Sequence, residues 1–416
     1  MIRFVVVTIG SAGDLFPTMR LALALRAGGY PVTMLGPVQH APFVEAAGLD
    51  FHGLPADEAV LDHPDLWHPT RGLAVIWRAT RPAMAQVPAF VAALPKEDRV
   101  VLLAHPLALP EADLCRARRP GTRIAAAYLA PSNLPTVHDP LLLGPYRVPR
   151  WVPHGARRWL WRRLADALIN PVALPDVNAA RAAQGLAPVA DLVDYLTRVP
   201  DLSLTLFPEW FATLQPDWPQ PLVRTGFPLY DPSPQAELTP EVARFLAEGA
   251  PPVVFTPGTG NRQAAHYFRC ALDACARRGL RAILLTPHRG QLPAQLPTPV
   301  LWQDYVPLRV LLPHVTALVH HGGIGTTAEA LRAGTPQLVV PLAHDQFDNA
   351  ARVVALGVGA SVLGVRTARL NAARLGAALD RATGAHVAAR AREVSGRFAM
   401  PDGIEAACAR LVALAA

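Results

Sequence analysis

Short, nearly uninterrupted apolar runs recur along the chain, separated by segments with helical periodicity, and each run ends in glycine, proline or a polar residue. The runs fall at 3–9, 31–35, 100–104, 124–129 and 202–207, and again at 252–256, 282–286, 300–302, 317–320 and 337–341. Runs of about four to eight residues rich in β-branched side chains suit strands buried on both faces, and their alternation with helices predicts parallel, doubly wound sheets. The first unit is the clearest: 3–9 leads through Gly10-Ser11-Ala12-Gly13-Asp14 into a helix entered at Pro17, which Gly28-Gly29 ends before the second strand. Between Phe207 and Pro234 prolines crowd the chain, as at Asp217-Trp218-Pro219-Gln220-Pro221, marking a connection between domains. The expected division is 1–228, 229–400 and a last helical piece, 401–416.

The densest candidate chemistry follows the run at 317–320. His320-His321-Gly322-Gly323-Ile324-Gly325-Thr326 reads as a strand end, a turn and the start of a helix that stops at Gly334. Such a turn aims unpaired backbone N–H groups and the positive end of the helix dipole at one point, where a phosphate is stabilised. Gly322, Gly323 and Gly325 permit close approach, and His321 and Thr326 can donate side-chain hydrogen bonds. The run at 252–256 ends in Pro257-Gly258-Thr259-Gly260, a second glycine turn that either adds donors to the same anion, Thr259 among them, or is a plain tight turn. Asp345 and Gln346, an acid and an amide beyond 337–341, suit neighbouring sugar hydroxyls. In the first half Asp14 sits at the end of the first strand, where Rossmann-like halves place chemistry; capping the helix that follows is its other reading.

His-Gly-Gly-x-Gly-Thr, the Glu three residues after Thr326 and Asp-Gln sixteen residues beyond that Glu together resemble the donor-binding signature of the GT-B nucleotide-sugar-dependent glycosyltransferases. The resemblance implies two doubly wound Rossmann-like domains facing across a cleft, the first binding acceptor and the second donor, with the final helix crossing back to the first. It implies that His321 and Thr326 meet the diphosphate, Glu329 the ribose, and Asp345 with Gln346 the transferred sugar. Where the family carries Trp-x-Pro-Gln against the base, this chain has Tyr305-Val306-Pro307-Leu308, making Tyr305 and Val306 the base candidates. Gly10-Ser11-x-Gly13-Asp14-x-x-Pro17 resembles the N-terminal motif of bacterial and sterol glycosyltransferases, in which the acid is the catalytic base; Ser11 and Gly13 then border the acceptor.

A narrower likeness, to bacterial rhamnolipid rhamnosyltransferases, rests on Ser11-Ala12-Gly13-Asp14, Leu66-Trp67, Asp217-Trp218-Pro219-Gln220-Pro221-Leu222, Thr225-Gly226-Phe227-Pro228-Leu229 and His344-Asp345-Gln346-Phe347-Asp348-Asn349-Ala350. It puts Trp67 among the acceptor contacts and implies dTDP-rhamnose with a β-hydroxyacyl lipid. The wider family keeps UDP-glucose and a terpenoid or sterol alcohol open, and the donor turn here keeps the general form. His138, beside Asp139, could help orient an acceptor, although a His-Asp pair is also an ordinary loop feature.

At 416 residues the chain suits two domains of roughly 200 each. With 51% hydrophobic and 17% charged residues it is globular and able to bury a core. The net charge of +7 is spread along the chain and carried almost wholly by arginine, with Lys96 the only lysine, so a nucleic-acid partner is not expected. Lys96, in a loop-like context, is also a poor anchor for pyridoxal phosphate. Four cysteines without paired short spacing read as a reduced, cytoplasmic protein, and the opening apolar run reads as a strand rather than a signal peptide. Within 147–163 arginines interleave with Trp151, Trp159 and Trp161. Such a surface could lie peripherally against the inner face of an anionic membrane, or it could be a helix that exposes its arginines and buries its tryptophans.

The expected chemistry is inverting, metal-independent transfer by direct displacement: Asp14 takes the acceptor proton, the oxygen attacks the anomeric carbon, and the nucleoside diphosphate leaves. No cofactor is expected beyond the nucleotide-sugar co-substrate, dTDP-rhamnose or UDP-glucose, with a hydrophobic hydroxylated acceptor. No Asp-x-Asp is present to hold a cation. An epimerase on the same fold and a non-catalytic nucleotide-sugar sensor are the alternatives; the long insert at 55–175 argues against the epimerase.

Overall fold

The computed structural model describes residues 1–139, 142–143, 146–362 and 369–415. The chain divides into two compact units, the first built from Met1–Leu143, Arg147–Pro232 and Pro401–Ala416, the second from Ser233–Met400 together with Tyr146. Both are doubly wound α/β domains with parallel sheets.

The first unit holds β1 (Ile2–Val7), β2 (Val32–Pro37), β3 (Asp50–Leu54), β4 (Arg99–Ala104), β5 (Arg123–Tyr128), β6 (Leu202–Thr205) and β7 (Leu222–Arg224). They pair in the order β3-β2-β1-β4-β5-β6-β7, every pair parallel. The central strands are the apolar runs of the sequence: Phe4, Val5, Val6 and Val7 are wholly buried, as are Leu102, Leu103 and Ala126. Because β1 lies between β2 and β4, the winding direction reverses beside it. The C-terminal ends of β1 and β4 therefore flank the crevice in which open α/β sheets place ligands. The helix Ala12–Ala27 leaves β1 through that crevice and buries Leu15, Met19, Ala22 and Leu25 at helical spacing. The closing helix, Ile404–Leu414, belongs to this unit, burying Ile404, Ala407 and Leu411.

One helix departs from the reading in which the arginines are exposed and the tryptophans buried. In His154–Leu164 it is Arg157 that turns inward, its guanidinium held by the carbonyls of Val137, at 2.9 Å, and of Pro149 and Arg150, while Trp151 and Trp159 stand in solvent. A guanidinium is buried at tolerable cost only when carbonyls meet its donors, as three do here.

The second unit holds β8 (Val253–Thr256), β9 (Ala282–Leu285), β10 (Val300–Gln303), β11 (Ala317–His320), β12 (Gln337–Val339) and β13 (Gly359–Ser361), in the order β10-β9-β8-β11-β12-β13. Its reversal falls between β8 and β11, whose last residues, Thr256 and His320, are paired. Core side chains cover both faces of this sheet. Phe255, Phe268, Ala271 and Leu379 lie in one cluster; Val254, Ile283, Leu311 and Leu318 lie in the other. Among the described residues no helix is long and apolar enough to cross a membrane.

Candidate active site

In the second unit the two glycine turns meet at the sheet reversal. A Cβ added to Gly258 would stand 2.9 Å from His321 Cε1, and one added to Gly323 would stand 2.5 Å from His321 Nε2. The imidazole is therefore packed between two glycines, one from the turn after β8 and one from the turn after β11. Gly258 also has φ +92°, and Gly322, at φ +94°, has no room for a Cβ because Val339 lies 2.6 Å away. His320 anchors the turn from beneath: its Nδ1 accepts from the Gly322 N–H at 3.2 Å, and its Nε2 meets the Gln337 side-chain oxygen at 3.0 Å.

The helix Ile324–Ala333 begins beside that imidazole without a side-chain cap. Thr327 is the first residue to bond back, through N–H and hydroxyl to the Gly323 carbonyl, which leaves the amides of Ile324, Gly325 and Thr326 without acceptors in the helix. His321 Nδ1 is buried and has no hydrogen-bond partner among the described residues. Open amides and a dipole end beside a neutral imidazole are the features an anion site requires. Burial pushes His321 down to about 4 and His320 to about 3, so both rings are neutral near pH 7.

The remaining sequence-predicted donor residues lie around this turn in different states. Thr259 is exposed, and the Gly258 N–H beside it donates to Thr256 Oγ1 at 3.3 Å. Thr326 and Glu329 are half-buried on one face of the helix, with Glu329 ion-paired to Arg332. Asp345 stands ahead of the helix Gln346–Ala355, and Asn349 ties it to the glycine turn, its amide donating to Asp345 Oδ2 at 2.7 Å and to the Gly322 carbonyl at 2.9 Å. Gln346 is buried, with its side-chain oxygen taken by the N–H groups of Leu342 and Ala343, so only its amide nitrogen remains for a ligand. Tyr305 is 57% exposed, whereas Val306 is a core residue at 4%, so a base contact at Val306 would run through its backbone. Asn349 was legible in the sequence only as part of the run after Asp345; its bridging role needed the fold.

In the first unit Ser11, Gly13 and Asp14 share the turn after β1. Asp14 does cap, as the bland reading expects: its Oδ2 accepts the Ser11 N–H at 3.0 Å, while the Ser11 hydroxyl accepts from Gly13. Its other oxygen takes no hydrogen bond among the described residues. Gly10, at φ +86°, lets the carboxylate lie against the backbone, since a Cβ there would be 2.2 Å from Oδ2. Asp14 is half-buried, and burial outweighs the Ser11 hydrogen bond to push its carboxyl up to about 6.

Sequence reasoning missed two histidines beside this turn. His105 directly follows β4; its N–H donates to the Val7 carbonyl at 3.0 Å, and its Nδ1 accepts from the Leu107 N–H, leaving Nε2 to carry the proton. His40 lies buried beyond β2 and touches the Gly10 backbone. Burial holds each down to about 4. The available signal was position, since His105 comes immediately after a predicted strand end. Trp67 lies in the turns ahead of the helix Gly72–Met84, and His138 in the loop beyond β5, its ring 4.5 Å from that of His154. Asp217 fixes that loop by accepting from Thr136 Oγ1 and from the Val137 N–H.

Two parallel α/β units of this kind define the GT-B class. The glycosyltransferase of kitacinnamycin superposes with a TM-score of 0.73 at 21% identity, covering 100% of this chain and 99% of that one. Residues 273–412 match the erythromycin biosynthesis protein CIII-like C-terminal domain family. O-mycaminosyltylonolide 6-deoxyallosyltransferase of Streptomyces fradiae is 31% identical over 98% of this chain and 96% of its own length. dTDP-epi-vancosaminyltransferase of Amycolatopsis orientalis is 31% identical over 94% and 92%. The chain belongs to the GT-B nucleotide-sugar glycosyltransferases.

Two outcomes follow from this geometry. Gly323→Ala must displace the His321 ring without straining the backbone, whose φ is −58°; nucleoside-diphosphate affinity should fall about tenfold or more with melting temperature little changed, and unaltered affinity by calorimetry would refute the packing argument. His40, His105, His320 and His321 are all held below their ordinary value, so the unfolded chain binds protons that the folded one refuses. Their contribution is whole above about pH 6.5 and is lost as pH falls toward 4, whereas Asp14, raised, has the opposite sign and offsets part of it. Urea unfolding should show several kcal/mol less stability at pH 5 than at pH 7.5, and equal or greater stability at pH 5 would contradict the assignment.

Proposed function

We propose that the enzyme transfers a 6-deoxyhexose, rhamnose foremost, with inversion, from a dTDP-sugar to a hydroxyl of a bulky hydrophobic acceptor such as a β-hydroxyacyl lipid. The observation that carries the reading is the second unit's anion site: His321 between two glycines, its Nδ1 unpartnered, at an uncapped helix N-terminus. The names of two relatives, a 6-deoxyallosyltransferase and a dTDP-epi-vancosaminyltransferase, support the donor class. The narrower likeness to rhamnolipid rhamnosyltransferases supports rhamnose and the acyl acceptor.

In this reading the amides of Ile324, Gly325 and Thr326, with His321, Thr259 and the Thr326 hydroxyl, hold the diphosphate; Glu329 meets the ribose; Tyr305 and the Val306 backbone meet the base; Asp345 and Gln346 meet the sugar. Asp14 removes the acceptor proton as the acceptor oxygen bonds to the anomeric carbon. The bond from that carbon to the diphosphate oxygen breaks with its electron pair, and the released charge is held by the same amides. A carboxylate brought to about 6 is basic enough to share the proton and still largely ionised at pH 7. Ser11, Gly13, Trp67 and His138 border the acceptor. The reading needs neither metal nor further cofactor.

Asp14→Asn is the direct test: donor binding should be nearly unchanged and transfer reduced by about two or more powers of ten, with chelator without effect on the parent. The wild-type rate should rise with pH to a plateau above about 6, because the ionised carboxylate is the active form. Transfer surviving the substitution makes Asp14 a helix cap only; activity confined to UDP-glucose with a sterol alcohol would move donor and acceptor to the wider family.

A further inference from the structure

The helix His154–Leu164 has two unlike faces. Arg157, Leu160, Trp161 and Leu164 recur at helical spacing on the side turned toward the protein; Arg158, Trp159, Arg162 and Arg163 form the outer stripe, all exposed. Trp159 is 63% exposed and Trp151, in the turn ahead of the helix, 82%. Elsewhere in the first unit no indole is exposed: Trp77 is at 1% and Trp218 at 3%, and Trp67, Trp161 and Trp210 are half-buried. Two indoles left in water on one short segment give up burial that the fold obtains elsewhere.

Along the sequence, between Asp139 and Asp166, the charge has one sign. Residues 140–165 contain six arginines and no acid. Arg157 is consumed inside by its three carbonyls, so Arg147, Arg150, Arg158, Arg162 and Arg163 remain exposed beside Trp151 and Trp159. The first acid downstream, Asp166, takes a hydrogen bond from Asn170 at 3.1 Å.

We propose that this face docks on the surface of an anionic lipid bilayer, with Trp151 and Trp159 in the interfacial layer and the arginines on headgroup phosphates. Indoles favour that layer because one end of the ring system is apolar and the N–H needs a polar partner, and arginines on the same stripe add attraction to anionic lipid. Nucleic acid would need a groove that tracks a backbone, and an acidic protein would need pockets that take the two rings; an outward helical stripe presents neither. The contact is peripheral, since no described helix can span a membrane. It does not depend on the donor or acceptor assignment, because lipid binding is measured without either.

Flotation of the full chain with vesicles of mixed phosphatidylcholine and phosphatidylglycerol tests it, against pure phosphatidylcholine. Binding should require phosphatidylglycerol and weaken with salt, and each of Arg158→Gln, Arg162→Gln and Arg163→Gln should lower partitioning about fivefold. Trp151→Ala with Trp159→Ala should remove the blue shift of tryptophan emission and its quenching by brominated lipid. These positions are exposed, so melting temperatures should be unchanged. Absence of binding at low salt, full binding by the triple arginine variant, or capture of an acidic protein or single-stranded oligonucleotide without vesicle binding would overturn the proposal.

Discussion

The second unit turns on the packing of one imidazole between two glycines. His321 can occupy its place because Gly258 and Gly323 lack the Cβ that would collide with it, and it stands there because β8 and β11 pair up to Thr256 and His320 before their chains diverge. Everything proposed for the donor follows from that placement. The ring is neutral, one nitrogen is unpartnered, and the three amides that open the next helix lie in the same turn. His320 and Asn349 keep the turn in register from below and from the side, so a ligand would meet a preformed surface rather than have to order one.

The first unit applies the same sheet logic to a different end. Its reversal lies beside β1, and the turn after β1 presses a carboxylate against Gly10, where burial raises the carboxyl while the Ser11 N–H holds one oxygen. Capping and proton transfer are compatible here, since the cap fixes the side chain and leaves the second oxygen for a substrate. A cap that also raised the fraction ionised would make a weaker base. Burial wins over the hydrogen bond, and that balance makes the group useful near neutral pH.

Much of this was legible in the chain because buried parallel strands are written as unbroken apolar runs. The runs at 3–9, 100–104, 252–256 and 317–320 needed no context. Asp50–Leu54 did not show, because as an edge strand it is mostly exposed and carries Asp50, His52 and Gly53. Gly359–Ser361 did not show either. It is three small residues, and Gly359 is needed because a Cβ would sit 2.1 Å from the Gln337 carbonyl. At the site, glycines and acids announced themselves by spacing, whereas His105 and His40 act through the strand ends they follow, which only sheet order reveals. The choice between the two readings of 154–164 was not legible for a related reason. Composition shows arginine and tryptophan together, but which of them faces inward depends on the carbonyls of Val137, Pro149 and Arg150, which come from other turns.

The measurement that bears most directly on the central claim is calorimetric titration of dTDP into the protein at pH 6, in two buffers of different ionisation enthalpy. An anion placed beside His321 favours its charged form, and the terminal phosphate of dTDP, which itself titrates near pH 6, contributes equally in both proteins; binding should therefore be one to one, with more proton uptake in the parent than in His321→Gln, and weaker in the variant. Tight binding with the same proton exchange in parent and variant would mean that the diphosphate does not sit at the glycine-packed imidazole.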